Sequence, residues 1–297
     1  MAILVDEKSR IIIQGLTGKV GRIFSERMVQ NKTPLVGGVT PGRGGSVDSY
    51  GVPVFDSVRE AEQATQADWS LVCVPALAVR DAVIEAIDAG ITHIVVYAEG
   101  VPAHDALAFL DYASLKNVAI FGPNSAGVFS PGRANVSDLD DRIVESGDIG
   151  IVSKSGTLTY EVIEVLKQIG LGVSTVACLG GDPLIGTEYV QLLKEFAEDE
   201  QTKIVVLLGE PGGDLEIKAA NYIRQMKKPV VAYIVGQNAP RGKKMGHAGA
   251  LVSSQEETAE SKKEILQNAG AYVVSTLTQI PNVVKSLQDR NGCAITR

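Results

Sequence analysis

The stretch "IIIQGLTGKVGR", residues 11–22, decides the fold of the first half of the chain. Three consecutive isoleucines predict a strand buried on both faces, because a strand with one wet face would alternate apolar and polar residues. Gly15, Gly18 and Gly21 then mark a tight turn into a helical stretch around Arg22–Gln30. Glycines there let backbone N–H groups come close to anything seated at the helix N-terminus. Outward from this unit, short apolar runs continue the pattern: "LVGGV", "SLVCVP", "HIVVYAEG" and "VAIFGP". Between them lie segments such as "VRDAVIEAIDAG" with apolar residues at helical spacing. Buried strands joined by helical crossovers predict a parallel sheet covered on both faces, here a Rossmann-like α/β domain over residues 1–130.

The pattern breaks at "SPGRANVSDLDDRIVESG", which opens on Pro131-Gly132 and carries a run of acids. Residues 131–147 therefore read as an interdomain connection. From 148 to 297 the alternation resumes with "DIGIVSKSG", "STVACLGGD", "KIVVLLGEPGG", "PVVAYIVG" and "AYVVS", a second parallel α/β unit. In such folds the functional groups gather beyond the carboxyl ends of the strands, where each of these glycine-rich segments lies.

Composition narrows the function classes. The 297 residues are 45% hydrophobic with a formal charge of −7, enough chain for two cored domains and too acidic for broad nucleic-acid affinity. Cys73, Cys178 and Cys293 are widely spaced, with no CxxC and no companion histidines, so reduced structural thiols and no metal site are expected. The opening "MAILVDEKSR" lacks a signal peptide's basic start, and no apolar run approaches the roughly 20 residues that span a bilayer. A cytoplasmic chain is expected.

Four segments carry chemistry. "QGLTGKVGR" departs from the dinucleotide fingerprint, with Thr17 at its second glycine position, and the acid expected after the second strand is missing. Arg43 stands in that region instead, suited to a phosphate on a ribose such as that of coenzyme A or NADP. A ligand-free strand–helix turn is the plain alternative. "VSKSGTLTYE" places Ser153 and Ser155 before a helix, either to bond an anion or simply to cap. In "VVLLGEPGG", Glu210 at a strand's carboxyl end could orient a catalytic group or be an exposed turn residue. Finally, "GKKMGHAGA" sets His247 among small residues, just after Arg241, Lys243 and Lys244. A lone histidine is more often structural, as His93 and His104 are expected to be. Small neighbours and a positive field favour a phosphorylated imidazole here, with one nitrogen held by an acceptor, for which Glu210 is the candidate. No G-x-S-x-G elbow supports Ser/His/Asp hydrolysis.

Together with "VGGVTPGRGG", "GVPVFDSV", "AEGVP", "GPNSAG" and "LGGDP", in this order, these segments resemble the α subunit of succinate–CoA ligase and its relatives over nearly the full length. The resemblance implies an N-terminal CoA-binding domain and a flavodoxin-like ligase domain carrying a phosphohistidine. It also implies a β subunit with an ATP-grasp domain that holds ATP or GTP and Mg²⁺. By resemblance, Thr17, Gly18, Lys19 and Val20 cradle coenzyme A, Arg43 meets its phosphates, and Ala98, Glu99 and Asn124 line its pocket. Ser153, Ser155 and Gly156 form a phosphate cup, while Tyr160 and Ser125 lie near the organic acid. His247 and Glu210 are the catalytic pair, the first phosphorylated and the second steadying it. The implied reaction forms an acyl-CoA, succinyl-CoA first, through phosphohistidine and acyl-phosphate intermediates.

Some residues depart from the family pattern. "GPNSAG" replaces the usual "GPNCPG", "ANVSDLDDR" replaces a stretch ending in a "GIMPG"-like turn, "GEPGG" replaces "GEIGG", and Arg43 stands where lysine is usual. The polar Ser125 motivates citrate or malate as alternative acids, as in citryl-CoA or malyl-CoA synthetase small subunits. A more distant alternative is a non-catalytic CoA- or NADP-binding regulatory protein. A nicotinamide oxidoreductase is disfavoured by the missing second-strand acid.

Overall fold

The computed structural model describes residues 3–237 and 246–294, with side chains as far as 290. Arg241, Lys243, Lys244 and the Cys293 side chain lie outside these. Two compact units are present: Val5–Asp138 with Leu179–Thr187, and Leu139–Cys178 with Glu188 onward and the N-terminal end.

In the first unit the chain runs β1 (Ile11–Gln14), α1 (Lys19–Gln30), β2 (Leu35–Val39), β3 (Val54–Phe55), α2 (Val58–Thr65), β4 (Trp69–Val72), α3 (Val79–Asp88), β5 (His93–Val96), α4 (Ala103–Lys116) and β6 (Ala119–Phe121). An antiparallel hairpin follows, β7 (Gly127–Ser130) and β8 (Ala134–Ser137), with Val128 opposite Val136. The six strands β1–β6 are parallel in the order β3-β2-β1-β4-β5-β6, the dinucleotide-fold order with its switch point between β1 and β4. Ile11, Ile12 and Ile13 are fully buried, as a doubly covered strand requires. Ile12 joins Val72, Ile94 and Ile120 in one core with Ala61 of α2, Val83 of α3 and Phe109 of α4. Gln14 is the polar exception in β1, and it is satisfied: Nε2 donates to Ala82 O at 2.8 Å and Oε1 accepts from Ser70 Oγ at 2.8 Å.

The second unit runs β9 (Ser146–Ser153), α5 (Gly156–Lys167), β10 (Val173–Cys178), α6 (Tyr189–Glu198), β11 (Ile204–Gly209), α7 (Leu215–Ile223), β12 (Val230–Ile234), α8 (Ala259–Asn268), β13 (Tyr272–Val274) and α9 (Ile280–Ala294). Its parallel strands are ordered β13-β12-β11-β9-β10, which is the flavodoxin-like order 5-4-3-1-2. Helices α6, α7 and α8 pack in a row, while α5 packs on α9. This is the α/β architecture expected of a Rossmann-like domain followed by a flavodoxin-like one.

Residues 131–147 hold β8, a single 3-10 turn at Asp141–Ile143 and the start of β9. The segment Leu179–Thr187, which contains "LGGDP", belongs to the first unit. Gly122 N donates to Leu179 O at 2.8 Å, Gly186 N to Gly122 O at 3.0 Å and Thr187 N to Ile120 O at 2.7 Å, so it lies along β6 and the turn that follows.

Helix α1 presses on the turn that precedes it. A Cβ at Gly21 would sit 2.3 Å from Gly15 O and 2.8 Å from Leu16 Cα, both backbone atoms that cannot rotate away. Gly21→Ala sets two effects against each other: better helix propensity, about 1 kcal/mol, and overpacking, about 1–3 kcal/mol. The clash is with backbone, so net destabilisation is expected, read as a lower urea midpoint. A raised midpoint would show that α1 can shift freely.

Candidate functional site

The first unit gathers its loops at the carboxyl ends of its strands. Gly18 opens α1 with Lys19 and Val20 behind it, all three exposed, and Gly18 N donates to Gly15 O at 3.0 Å. Thr17 ties this turn to the one after β2: its N and Oγ1 donate to Thr40 Oγ1 at 3.4 and 3.2 Å. Arg43 projects from that second turn, exposed, with its N donating to Thr40 O at 3.0 Å. Gly15, at φ 85°, is where the turn approaches β4, since a Cβ there would lie 3.2 Å from the Cys73 backbone. After β5, Ala98 is half-buried and Glu99 exposed. Asn124 joins them, its N donating to Ala98 O at 3.0 Å and its Nδ2 to Asp182 Oδ1 at 3.2 Å. Thr17 thus meets the turn that carries Arg43, and Ala98 meets Asn124, at the carboxyl ends of strands of one sheet. Ser125 beside them is 2% exposed, and its Oγ accepts Gly127 N–H at 3.0 Å.

In the second unit, Ser155 is the N-cap of α5: its Oγ accepts Leu158 N–H at 3.3 Å. Ser153 Oγ donates to Ser155 O at 2.8 Å and accepts Ser155 N–H at 3.0 Å, so both hydroxyls shape the helix start. Gly156 is the first helical residue, and Tyr160 lies half-buried in the next turn. The capping role that the sequence left open is therefore realised, at a helix N-terminus whose partial positive charge suits an anion.

His247 meets Glu210 directly, Nδ1 to Oε2 at 2.7 Å. Glu210 is 5% exposed, so it is a buried group and not a surface turn residue. In the Nδ1–H tautomer the ring nitrogen donates to this carboxylate oxygen, and a neutral ring then has its lone pair on Nε2. The His247 side chain is 28% exposed. The two glycine turns interlock by backbone: a Cβ at Gly212, at φ 90°, would sit 2.4 Å from Gly249 O and 2.8 Å from Leu251 N. Gly212 lacks a side chain because the backbone of the His247 turn occupies its Cβ position.

Three charged residues that sequence reasoning missed surround Glu210. Lys154 Nζ lies 3.7 Å from Glu210 Oε1 and 3.8 Å from Glu216 Oε1. Glu216 Oε1 accepts Glu210 N–H at 3.2 Å, and Lys262 Nζ donates to Glu216 Oε2 at 2.5 Å. Glu216 and Lys262 are fully buried, and burial pulls the Lys262 pKa below its ordinary value, partly offset by Glu216. A signal for both existed. Glu216 shares a helical stripe with Ala219, Ala220 and Ile223, and Lys262 with Ala259 and Leu266, so each charge occupies a core-facing position.

The other histidines are structural or peripheral. His93 stacks on Trp69 at 4.5 Å and burial lowers its pKa, while His104 is exposed on α4. Cys178 is buried, and burial pushes the Cys73 thiol far up, so neither is a poised nucleophile. Among the described residues no helix is long and apolar enough to cross a membrane.

Two family models match the chain. A CoA binding domain family matches residues 6–100 and a CoA-ligase family matches residues 152–272. Subunit alpha 1 of ADP-forming succinate–CoA ligase from Archaeoglobus fulgidus is 49% identical, over 96% of this chain and 98% of that one. The corresponding subunit alpha of Aquifex aeolicus is 43% identical, over 97% of this chain and 95% of that one. Among solved structures, ATP citrate lyase from Methanothrix soehngenii, in complex with citrate and coenzyme A, superposes with a TM-score of 0.87 at 23% identity. The match covers 97% of this chain and 50% of that longer one, a likeness of fold.

Removing the Ser155 cap tests the helix start by itself. Ser155→Ala is expected to destabilise the chain by about 1 kcal/mol in urea denaturation, and Ser155→Asp to recover most of it. Equal stability of Ser155→Ala and the parent would show that the hydroxyl does not cap.

Proposed function

The chain belongs to the succinate–CoA ligase α-subunit family, and from that premise we propose that it is the α subunit of an ADP- or GDP-forming acid–CoA ligase. The observation that carries the reading is the His247–Glu210 contact, one nitrogen of an imidazole held by a buried carboxylate. Nε2 attacks the γ-phosphorus of a nucleoside triphosphate, the P–O bond to the β-phosphate breaks, and the nucleoside diphosphate leaves. The phosphoryl group then passes to a carboxylate oxygen of the acid, giving an acyl phosphate. The thiolate of coenzyme A adds to the acyl carbon and phosphate leaves, forming the thioester. A carboxylate expels a poor leaving group, so the relay divides one hard displacement into easier ones.

In this proposal Thr17, Gly18, Lys19 and Val20 hold coenzyme A, Arg43 meets its phosphates, and Ala98, Glu99 and Asn124 line its pocket. The N-terminus of α5, with Ser153, Ser155 and Gly156, receives the moving phosphoryl group through donors already aimed. Tyr160 and Ser125 are assigned to the acid's surroundings. A β subunit with an ATP-grasp domain supplies the nucleotide and Mg²⁺ sites, and a cytoplasmic setting suits the substrates. Succinate is the proposed acid. The motive for citrate or malate, a polar Ser125, is weakened because that hydroxyl is buried and accepts Gly127 N–H.

With the β subunit and γ-labelled ATP or GTP, the chain is expected to take an acid-labile, base-stable phosphate that His247→Asn abolishes. Label persisting in that variant would refute the assignment. Arg43→Ala is expected to raise KM for coenzyme A about 10- to 100-fold, the worth of a charge-assisted contact, with little change in kcat. Turnover with succinate, malate and citrate compared in the same complex decides the acid, and a preference for citrate or malate would overturn the choice of succinate.

A further inference from the structure

Glu210 is held from four sides. Its Oε2 meets His247 Nδ1 at 2.7 Å, and its Oε1 faces Lys154 Nζ at 3.7 Å without a hydrogen bond. Its N–H donates to Glu216 Oε1 at 3.2 Å, and its carbonyl accepts from Lys262 Nζ at 2.8 Å. Lys262 Nζ also donates to Gly212 O at 2.5 Å and Glu216 Oε2 at 2.5 Å, so all three ammonium protons are used. Lys154, Glu216 and Lys262 come from the end of β9, from α7 and from α8, and each is at least nine-tenths buried. Two ammonium groups balance two carboxylates around a histidine whose useful tautomer depends on one of those carboxylates.

We infer that Lys154, Glu216 and Lys262 are positioning residues for phosphoryl transfer, a buried ion-pair clamp that fixes Glu210 and through it the Nδ1–H tautomer of His247. Lys262 and Glu216 pin the backbone of the turn on either side of the Glu210 Cα. Lys154 sets its ammonium 3.7 Å from Oε1, the carboxylate oxygen turned away from the ring, and so holds the carboxylate by charge from its far side. A displaced Glu210 would cease to accept from Nδ1–H, and a share of the rings would carry the proton on Nε2, where no attack can start. The charge on this clamp is structural in origin and chemical in effect, which is why two helices carry ionic residues on their core faces. The inference deepens the phosphohistidine reading and rests on it for its functional consequence.

The test reads the tautomer in the full-length chain by nitrogen-15 NMR of labelled histidine, with His247 assigned through His247→Asn. In the parent chain the proton is expected on Nδ1. In Lys262→Met the two tautomers are expected to mix, and labelling by γ-labelled nucleotide in the complex with the β subunit to slow about 10- to 100-fold, the usual cost of losing a histidine's outer partner. Affinity for coenzyme A should be unchanged, since the first unit's turns are untouched. Should Lys262→Met fail to fold, Lys154→Met reaches the same carboxylate from another element and is expected to give the same two changes. A folded variant that keeps the Nδ1–H tautomer overturns the inference, whether or not labelling slows, because slowing alone would mark a merely structural role. The tautomer readout needs neither nucleotide nor partner. A parent chain with the expected tautomer that takes no label would therefore refute the phosphoryl-transfer reading and leave the clamp standing.

Discussion

A buried carboxylate is costly unless positive charge or donated hydrogen bonds replace the water it has lost. Glu210 imposes that constraint at the carboxyl end of β11. Leaving an ion uncompensated in such a place costs several kcal/mol. The second unit answers with Lys154 from the end of β9 and Lys262 from α8, with Glu216 of α7 balancing the second ammonium. Breaking one member strands another, so the strands and helices that carry them are bound to a common geometry. His247 stands at the outer end of this arrangement, with 28% of its side chain exposed.

Close backbone approach is the second recurring device. Gly21 lets α1 sit against Gly15, and Gly212 lets the Glu210 turn touch Gly249 and Leu251. In both places the side chain is missing because backbone occupies its position. Small residues around His247 read in the sequence as clearance for a bulky phosphorylated ring. In the facing turn the structure gives smallness another cause: at Gly212 the backbone of Gly249 and Leu251 occupies the Cβ position. The two causes are compatible, since the turn that touches Glu210 is also the one that sets the ring at 2.7 Å from its carboxylate.

The two units divide the chemistry by the same rule. Each is a doubly covered parallel sheet, and each collects its polar residues beyond the carboxyl ends of its strands. In the first unit these are the Thr17–Val20 turn, the Arg43 turn and the Ala98–Asn124 pair. In the second they are the Ser153–Ser155 helix start and the His247–Glu210 contact. Fold alone would allow many chemistries. The particular side chains at these ends, and the family to which the chain belongs, narrow them to acid–CoA ligation.

The sequence by itself determined what depends on neighbours along the chain. "IIIQG" had to be a buried strand and "GLTGKVG" a close turn into a helix, because period and glycine placement are local properties. The proposal of His247 and Glu210 as partners rested on their motifs and on the family resemblance, and their contact across 37 residues came only with the fold. What only tertiary structure decided were contacts between residues far apart in sequence. Lys262 reaches Glu210 and Glu216 across 52 and 46 residues, and "LGGDP" lies along β6 in the first unit although it follows β10. A lysine in a helical stripe of apolar residues looks like an exception until the carboxylate opposite it is placed. Its partner is fixed by sheet order, and sheet order is set by how helices cover strands, a property no single segment carries.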